Sequence, residues 1–100
     1  MNNPPDHMFH ARRTVVWSEL ARRDLQGIRA YIGLFKPLAA QRFAARLVSA
    51  VEGLAEHPDR GRPVGSLREL AVISPYVIRY RVTADAVEIV RIKHAAQRAE

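Results

Sequence analysis

The sequence contains no cysteine, so neither disulfides nor thiolate metal sites are available, which fits a reducing compartment. No apolar run approaches the ~20 residues that a membrane-spanning helix needs. The opening stretch MNNPPDHMFHARR lacks the apolar centre of a secretory signal. A cytoplasmic protein is expected on these grounds, with no membrane association. Lysine is scarce as well: of 16 Lys and Arg residues only Lys36 and Lys93 are lysines, and the net charge is +6. The planar fork of arginine suits carboxylate and phosphate equally, so the balance points to an acidic partner, protein or nucleic acid. There is no Gly-rich phosphate loop, no HExxH, no GxSxG and no carboxylate pair at a useful spacing, which removes the commonest nucleotide-binding, zinc-protease and esterase signatures. His7 and His10 have no third ligand nearby, and no metal or other cofactor is expected.

The 100 residues allow one domain with a single core. Residues 1–13 have no hydrophobic period and include Pro4-Pro5, the pattern of a disordered tail with Met8 as an alternative start. The folded domain is therefore assigned to residues 14–100. The run Thr14 to Trp17 is β-prone, and Ser18 can cap a following helix with Glu19 in its first turn. Ala21, Leu25, Ile28, Ile32 and Phe35 recur at helical spacing and define a first helix to about Phe35 with one buried stripe. Pro37 opens a second helix with a stripe of Ala40, Phe43, Leu47, Val51 and Leu54. Helices joined so tightly fold back as an antiparallel hairpin. Residues 57–63, HPDRGRP, read as a loop.

Leu67 to His94 reads as three successive strands, rich in Val, Ile and Tyr and broken at Ser74-Pro75 and Ala84-Asp85. A two-residue loop at Ala84-Asp85 would set Val82 opposite Val87, Tyr80 opposite Ile89 and Ile78 opposite Arg91. That register gives an apolar face for the core. It leaves Arg79 and Arg81 on the other face, with Glu88 opposite Arg81 and His94 near the rim. Phosphodiester cleavage without a metal would need a general base, a general acid and cations, roles open to His94, Tyr80 and the strand arginines. A solvated histidine at a strand end is the simpler reading.

The pieces VVWSELARRDLQGIRAYI, FKPLAAQRFAARL, GLAEHPDRGRPV, LREL and YVIRYRVTADAVEIVRIKH, running from Val15 to about Gln97, resemble the ParE branch of the ParE/RelE toxin superfamily. The resemblance is carried by Trp17, the A-x-x-D-L of Ala21 to Leu25, the L-x-x-x-P-x-x-G-R of Leu54 to Arg62, Arg68, Tyr80 and His94 in that order. It implies an α+β fold of order β-α-α-β-β-β, a helical hairpin on one face of a small, mostly antiparallel sheet. It also implies a toxin neutralised by a co-encoded, ParD-like antitoxin.

Members of the ParE branch act on DNA gyrase, whereas RelE-type members cleave messenger RNA on the ribosome. The RNA-cleaving branch often carries a tyrosine beyond its last strand, and none follows His94 here. The resemblance therefore favours gyrase inhibition by binding, with no residue carried over as catalytic and no direct sequence-specific nucleic-acid binding. An RNA-cleaving enzyme and a non-toxic relic that only binds its antitoxin are the alternatives. The expected target-binding set is Arg68, Arg79, Arg81, Arg91 and His94. The expected antitoxin-binding set is Arg22, Arg23, Arg29, Arg42 and Arg46, exposed along the two helices opposite an acidic partner.

Overall fold

A computed structural model describes residues 13–97. The disordered-tail assignment, His7, His10 and Met8 fall outside those residues, apart from Arg13. The Arg13 backbone N–H donates to the Ala55 carbonyl at 2.9 Å and its Nε donates to the Thr83 carbonyl at 2.9 Å, so this residue belongs to the folded domain.

The elements follow in the order β1 (Thr14–Trp17), α1 (Glu19–Gly33), α2 (Pro37–Gly53), β2 (Arg62–Val64), β3 (Leu67–Ile73), β4 (Tyr76–Val82) and β5 (Ala86–His94), closed by a short 3-10 turn at Ala95–Gln97. The sheet order is β1-β5-β4-β3-β2, with β1 parallel to β5 and every other pair antiparallel. The expected α+β hairpin on a mostly antiparallel sheet is what forms. Its fifth strand, β2, lies at the end of the stretch that the sequence reads as loop. Only three residues long and containing a proline, β2 is recruited by pairing with β3 rather than by any propensity of its own.

Ser18 starts α1 as expected, its hydroxyl accepting from the Ala21 N–H at 3.0 Å, and Pro37 occupies the first turn of α2. The α2 stripe is wholly buried: Ala40, Phe43, Leu47, Val51 and Leu54 join Ile78, Tyr80, Val87, Ile89 and Ile92 from the sheet. On α1 only Ala21 is fully buried, while Leu25, Ile28 and Ile32 pack at the core margin. Phe35 departs from expectation because α1 ends at Gly33, so its side chain leaves the helical stripe and is exposed.

Tyr80 locks the loop after α2 to the sheet. Its buried hydroxyl donates to the Pro58 carbonyl at 2.7 Å and accepts from the Gly61 N–H at 2.8 Å. Arg68 adds contacts to the Gly61 and Asp59 carbonyls. A Cβ on Gly61 would stand 2.6 Å from the Tyr80 hydroxyl and 2.8 Å from the Glu69 carbonyl. The loop can therefore close on the tyrosine only with glycine there, which gives the P-x-x-G spacing its physical meaning.

Two predictions follow from this packing. Leu47→Ala should lower the unfolding free energy by roughly 2–5 kcal/mol in urea titration, because the site is walled by rigid helix and sheet on all sides. Burial pushes the Tyr80 phenol above its ordinary 10.0, the Gly61 hydrogen bond opposing in part. A raised folded-state value means that the folded protein holds its proton where the unfolded chain releases it. The stability contributed is thus complete below about pH 10 and lost as pH rises further. The stability difference between wild type and Tyr80→Phe should be constant from neutral pH to about 9 and shrink above it; a difference unchanged to pH 11 would contradict the lock.

Candidate functional site

The chemistry-bearing residues are distributed by one irregularity in β5. From Val82–Val87 to Tyr80–Ile89 the register is as expected, but beyond it Arg79 pairs with Arg91 and Ile78 with Ile92. One extra residue is accommodated in β5 at Val90–Arg91, a β-bulge. The expected Ile78–Arg91 pairing is thereby corrected: Ile92 takes the core position opposite Ile78, and Arg91 reaches the first helix instead. The backbone groups at the bulge are satisfied from the start of α1. The Ser18 hydroxyl donates to the Val90 carbonyl at 2.9 Å, and the Asp24 carboxylate accepts from the Ile92 N–H at 2.9 Å. Asp24 also takes a two-pronged contact from Arg91, at 2.8 Å from Nε and 3.1 Å from Nη2. This fork raises the Arg91 guanidinium above its ordinary value, with burial opposing.

A one-residue shift inverts the facing of every later side chain. His94 therefore does not join Arg79 and Arg81, as the uninterrupted alternation expects. It lies opposite Tyr76 on the helix side of the sheet, its ring edge-on to the Tyr76 ring with centroids 5.6 Å apart. Its Nδ1 accepts from the Ala96 N–H at 3.1 Å. His94, Tyr76, Tyr31, Arg23 and Arg91 border an open pocket of about 410 Å³ at this end of α1.

On the opposite face the cations are paired. Arg79 donates twice to one oxygen of Glu69, at 2.9 and 2.8 Å, and Glu69 is buried with Arg62 3.6 Å from its other oxygen. Arg81 meets Glu88 at 3.2 Å. Arg68 points into the Gly61 loop. The five residues of the expected target-binding set are thus spread over both faces and the loop, and the arginines among them are already engaged by protein oxygens.

The helical arginines of the antitoxin-binding set are all exposed. Arg23 is held by Glu19 one turn earlier at 3.1 Å. Arg22 and Arg29 flank a groove of about 590 Å³ between edge strand β1 and the helices, floored by Val15, Trp17, Leu25 and Val48. Arg42 and Arg46 lie one turn apart on α2. Sequence reasoning named the cations but missed this apolar floor. Its signal was present in the β-prone TVVW run, read only as a strand.

A hairpin of two helices laid on a five-stranded mixed sheet is the architecture of the ParE/RelE toxins. The chain belongs to the ParE toxin family of type II toxin–antitoxin systems, whose family model matches residues 15–99. It is 58% identical over 84 residues to a protein named Toxin RelE2 from Caulobacter vibrioides, covering 83% of this chain and 96% of that one. Among solved structures it matches the chromosomal ParDE system from P. aeruginosa with a TM-score of 0.75 and 25% identity, over 85% of this chain and 97% of the other. The RelBE2 toxin–antitoxin complex of Mycobacterium tuberculosis superimposes with a TM-score of 0.64 at 24% identity, over 84% and 99% of the two chains, a likeness of fold.

The bulge predicts its own test. Asp24→Ala leaves the Ile92 N–H and the Arg91 guanidinium without their acceptor and should cost roughly 1–3 kcal/mol in urea unfolding. Glu19→Ala, which removes an exposed pair and a first-turn charge of the same helix, should cost less than about 1 kcal/mol. Equal losses in the two variants would show that the bulge closure contributes nothing.

Proposed function

We propose that this toxin acts in the cytoplasm by binding and inhibiting DNA gyrase, and that a cognate antitoxin neutralises it. The observation that carries the reading is the separation of His94 from Arg79 and Arg81 across the sheet. Acid–base cleavage of RNA asks a base, an acid and cations to converge within hydrogen-bond reach of one phosphate. Here the Tyr80 hydroxyl is engaged by Pro58 and Gly61, Arg79 by Glu69, Arg81 by Glu88 and Arg91 by Asp24, and His94, whose pocket also holds Tyr31, Tyr76, Arg23 and Arg91, has its Nδ1 taken up by the Ala96 N–H. Binding makes no such demand, since charges and apolar contacts share the load.

The groove between β1 and the helices supports the antitoxin half of the proposal. Its apolar floor suits the apolar side of an amphipathic segment, and Arg22 and Arg29 on its flank suit acidic residues beside it. The solved structures it matches include toxin–antitoxin systems. Reversing Arg22 and Arg29 to glutamate should slow antitoxin association and flatten its salt dependence, measured by surface-immobilised kinetics from low to high ionic strength. Unchanged salt dependence would move the antitoxin's acidic residues elsewhere.

The purified protein should inhibit supercoiling by gyrase, and His94→Gln should inhibit within about threefold of wild type, since no proton transfer is asked of it. If the protein were an RNA-cleaving enzyme using His94, as the RelE naming of its relatives brings to mind, that variant would lose about 10²- to 10⁴-fold in rate with binding intact. No inhibition of gyrase by the wild type would reject the proposal.

A further inference from the structure

The far end of the helical hairpin carries apolar surface that the core does not use. Tyr31, Leu34, Phe35 and Leu38 are 62, 77, 71 and 64% exposed. The Tyr31 and Phe35 rings meet edge to face with centroids 5.7 Å apart, and Leu34 and Leu38 lie at the same turn between the helices. Single exposed apolar side chains are ordinary, but four large neighbours at one protruding turn form a patch of the kind that marks an interaction site.

The charge around this tip is of one sign. Between Asp24 and Glu52 the sequence has no acidic residue, while it has Arg29, Lys36, Arg42 and Arg46. All four cations are exposed, and among the described residues none has an ion-pair partner. Two copies meeting tip to tip would bring these like charges together, which disfavours a second copy as the occupant. Their placement discriminates further. Arg42 and Arg46 stand about 6 and 12 Å behind Leu38 along α2 at 1.5 Å per residue. A flat anionic surface touching the tip would lie beyond a screening length of about 8–10 Å from Arg46. Walls rising alongside the hairpin would reach both.

We propose that the hairpin tip is the target-engaging element of this toxin: Tyr31, Leu34, Phe35 and Leu38 enter an apolar pocket with acidic walls on a partner protein, which under the function proposed above is gyrase. The inference rests on that function and adds the surface that performs it. The two rings already meet edge to face, and aromatic anchors of this kind carry most of the energy at protein interfaces. The arginines behind them steer the approach.

The test compares wild type, Phe35→Ser/Leu38→Ser and Arg42→Glu/Arg46→Glu in a gyrase supercoiling titration, with melting curves for each. All the altered side chains are exposed, so wild-type melting is expected throughout. The tip variant should raise the half-inhibitory concentration by ~30-fold or more, the scale of a lost hot spot. The charge variant should raise it about tenfold at low salt and much less at high salt. Inhibition by the tip variant equal to that of wild type overturns the tip assignment and leaves the gyrase reading standing. No inhibition by wild type overturns both. Two controls complete the test: co-sedimentation of wild type with phosphatidylglycerol vesicles, or a dimer in sedimentation, abolished by the tip changes while inhibition persists, overturns the proposal in favour of a lipid surface or a second copy.

Discussion

The carboxylate of Asp24 is the contact on which the arrangement of this sheet depends. A bulge leaves backbone groups out of the ladder, and buried groups of that kind must find partners or cost free energy. Asp24 takes the Ile92 N–H and the Arg91 guanidinium together, and Ser18 takes the Val90 carbonyl while capping the same helix. The first turns of α1 and the centre of β5 are thereby a single unit. The extra residue is stable where it sits, and Ile92 turns into the core. The same shift carries His94 to the helix side. A local hydrogen-bonding solution thus decides which side chains can act together: it parts the histidine from Arg79 and Arg81 and leaves it beside Arg91.

A second lock works from the other side of the domain. Tyr80 and Arg68 clamp the loop of Pro58 to Gly61 onto the sheet, and Gly61 permits the approach. Between the two locks the sheet is tied to the base of the hairpin. Among the described residues the distal half of the hairpin has no such hydrogen-bonded lock and is held to the sheet by apolar packing such as Phe43 on Tyr76. It carries exposed apolar side chains and uncompensated cations, the surface left for a partner once the fold has been satisfied. In this protein the groups that a sequence reader first suspects of chemistry hold the fold together, while those read as plain helix are the ones presented to solvent.

How much of this was legible follows from where the signals lie. The α2 stripe and the strands Leu67–Ile73, Tyr76–Val82 and Ala86–His94 were readable because period and breakers agree. The Tyr80–Ile89 pairing was readable from the turn. The bulge was not, because neither Val90 nor Arg91 is a turn residue and the stabilising partner is 67 residues away in sequence from Arg91. The awkward placement of Arg91 on the apolar side was the one trace of it. Phe35 was misplaced because its spacing continued the stripe past the point where the helix stops. The candidate site suffered most, since ion pairs such as Arg79–Glu69 and Arg81–Glu88 depend on cross-strand register, and a list of arginines does not tell a paired cation from a free one.

The central claim is that toxicity is a matter of binding by a basic, apolar-tipped hairpin rather than of acid–base chemistry on the sheet. The most direct measurement maps nucleic-acid ends in cells after brief induction of the protein without antitoxin. The account predicts DNA ends trapped in gyrase cleavage complexes and a messenger 5′-end profile identical to that of uninduced cells. New messenger 5′ ends within translated codons, appearing without gyrase-linked DNA ends, would contradict it.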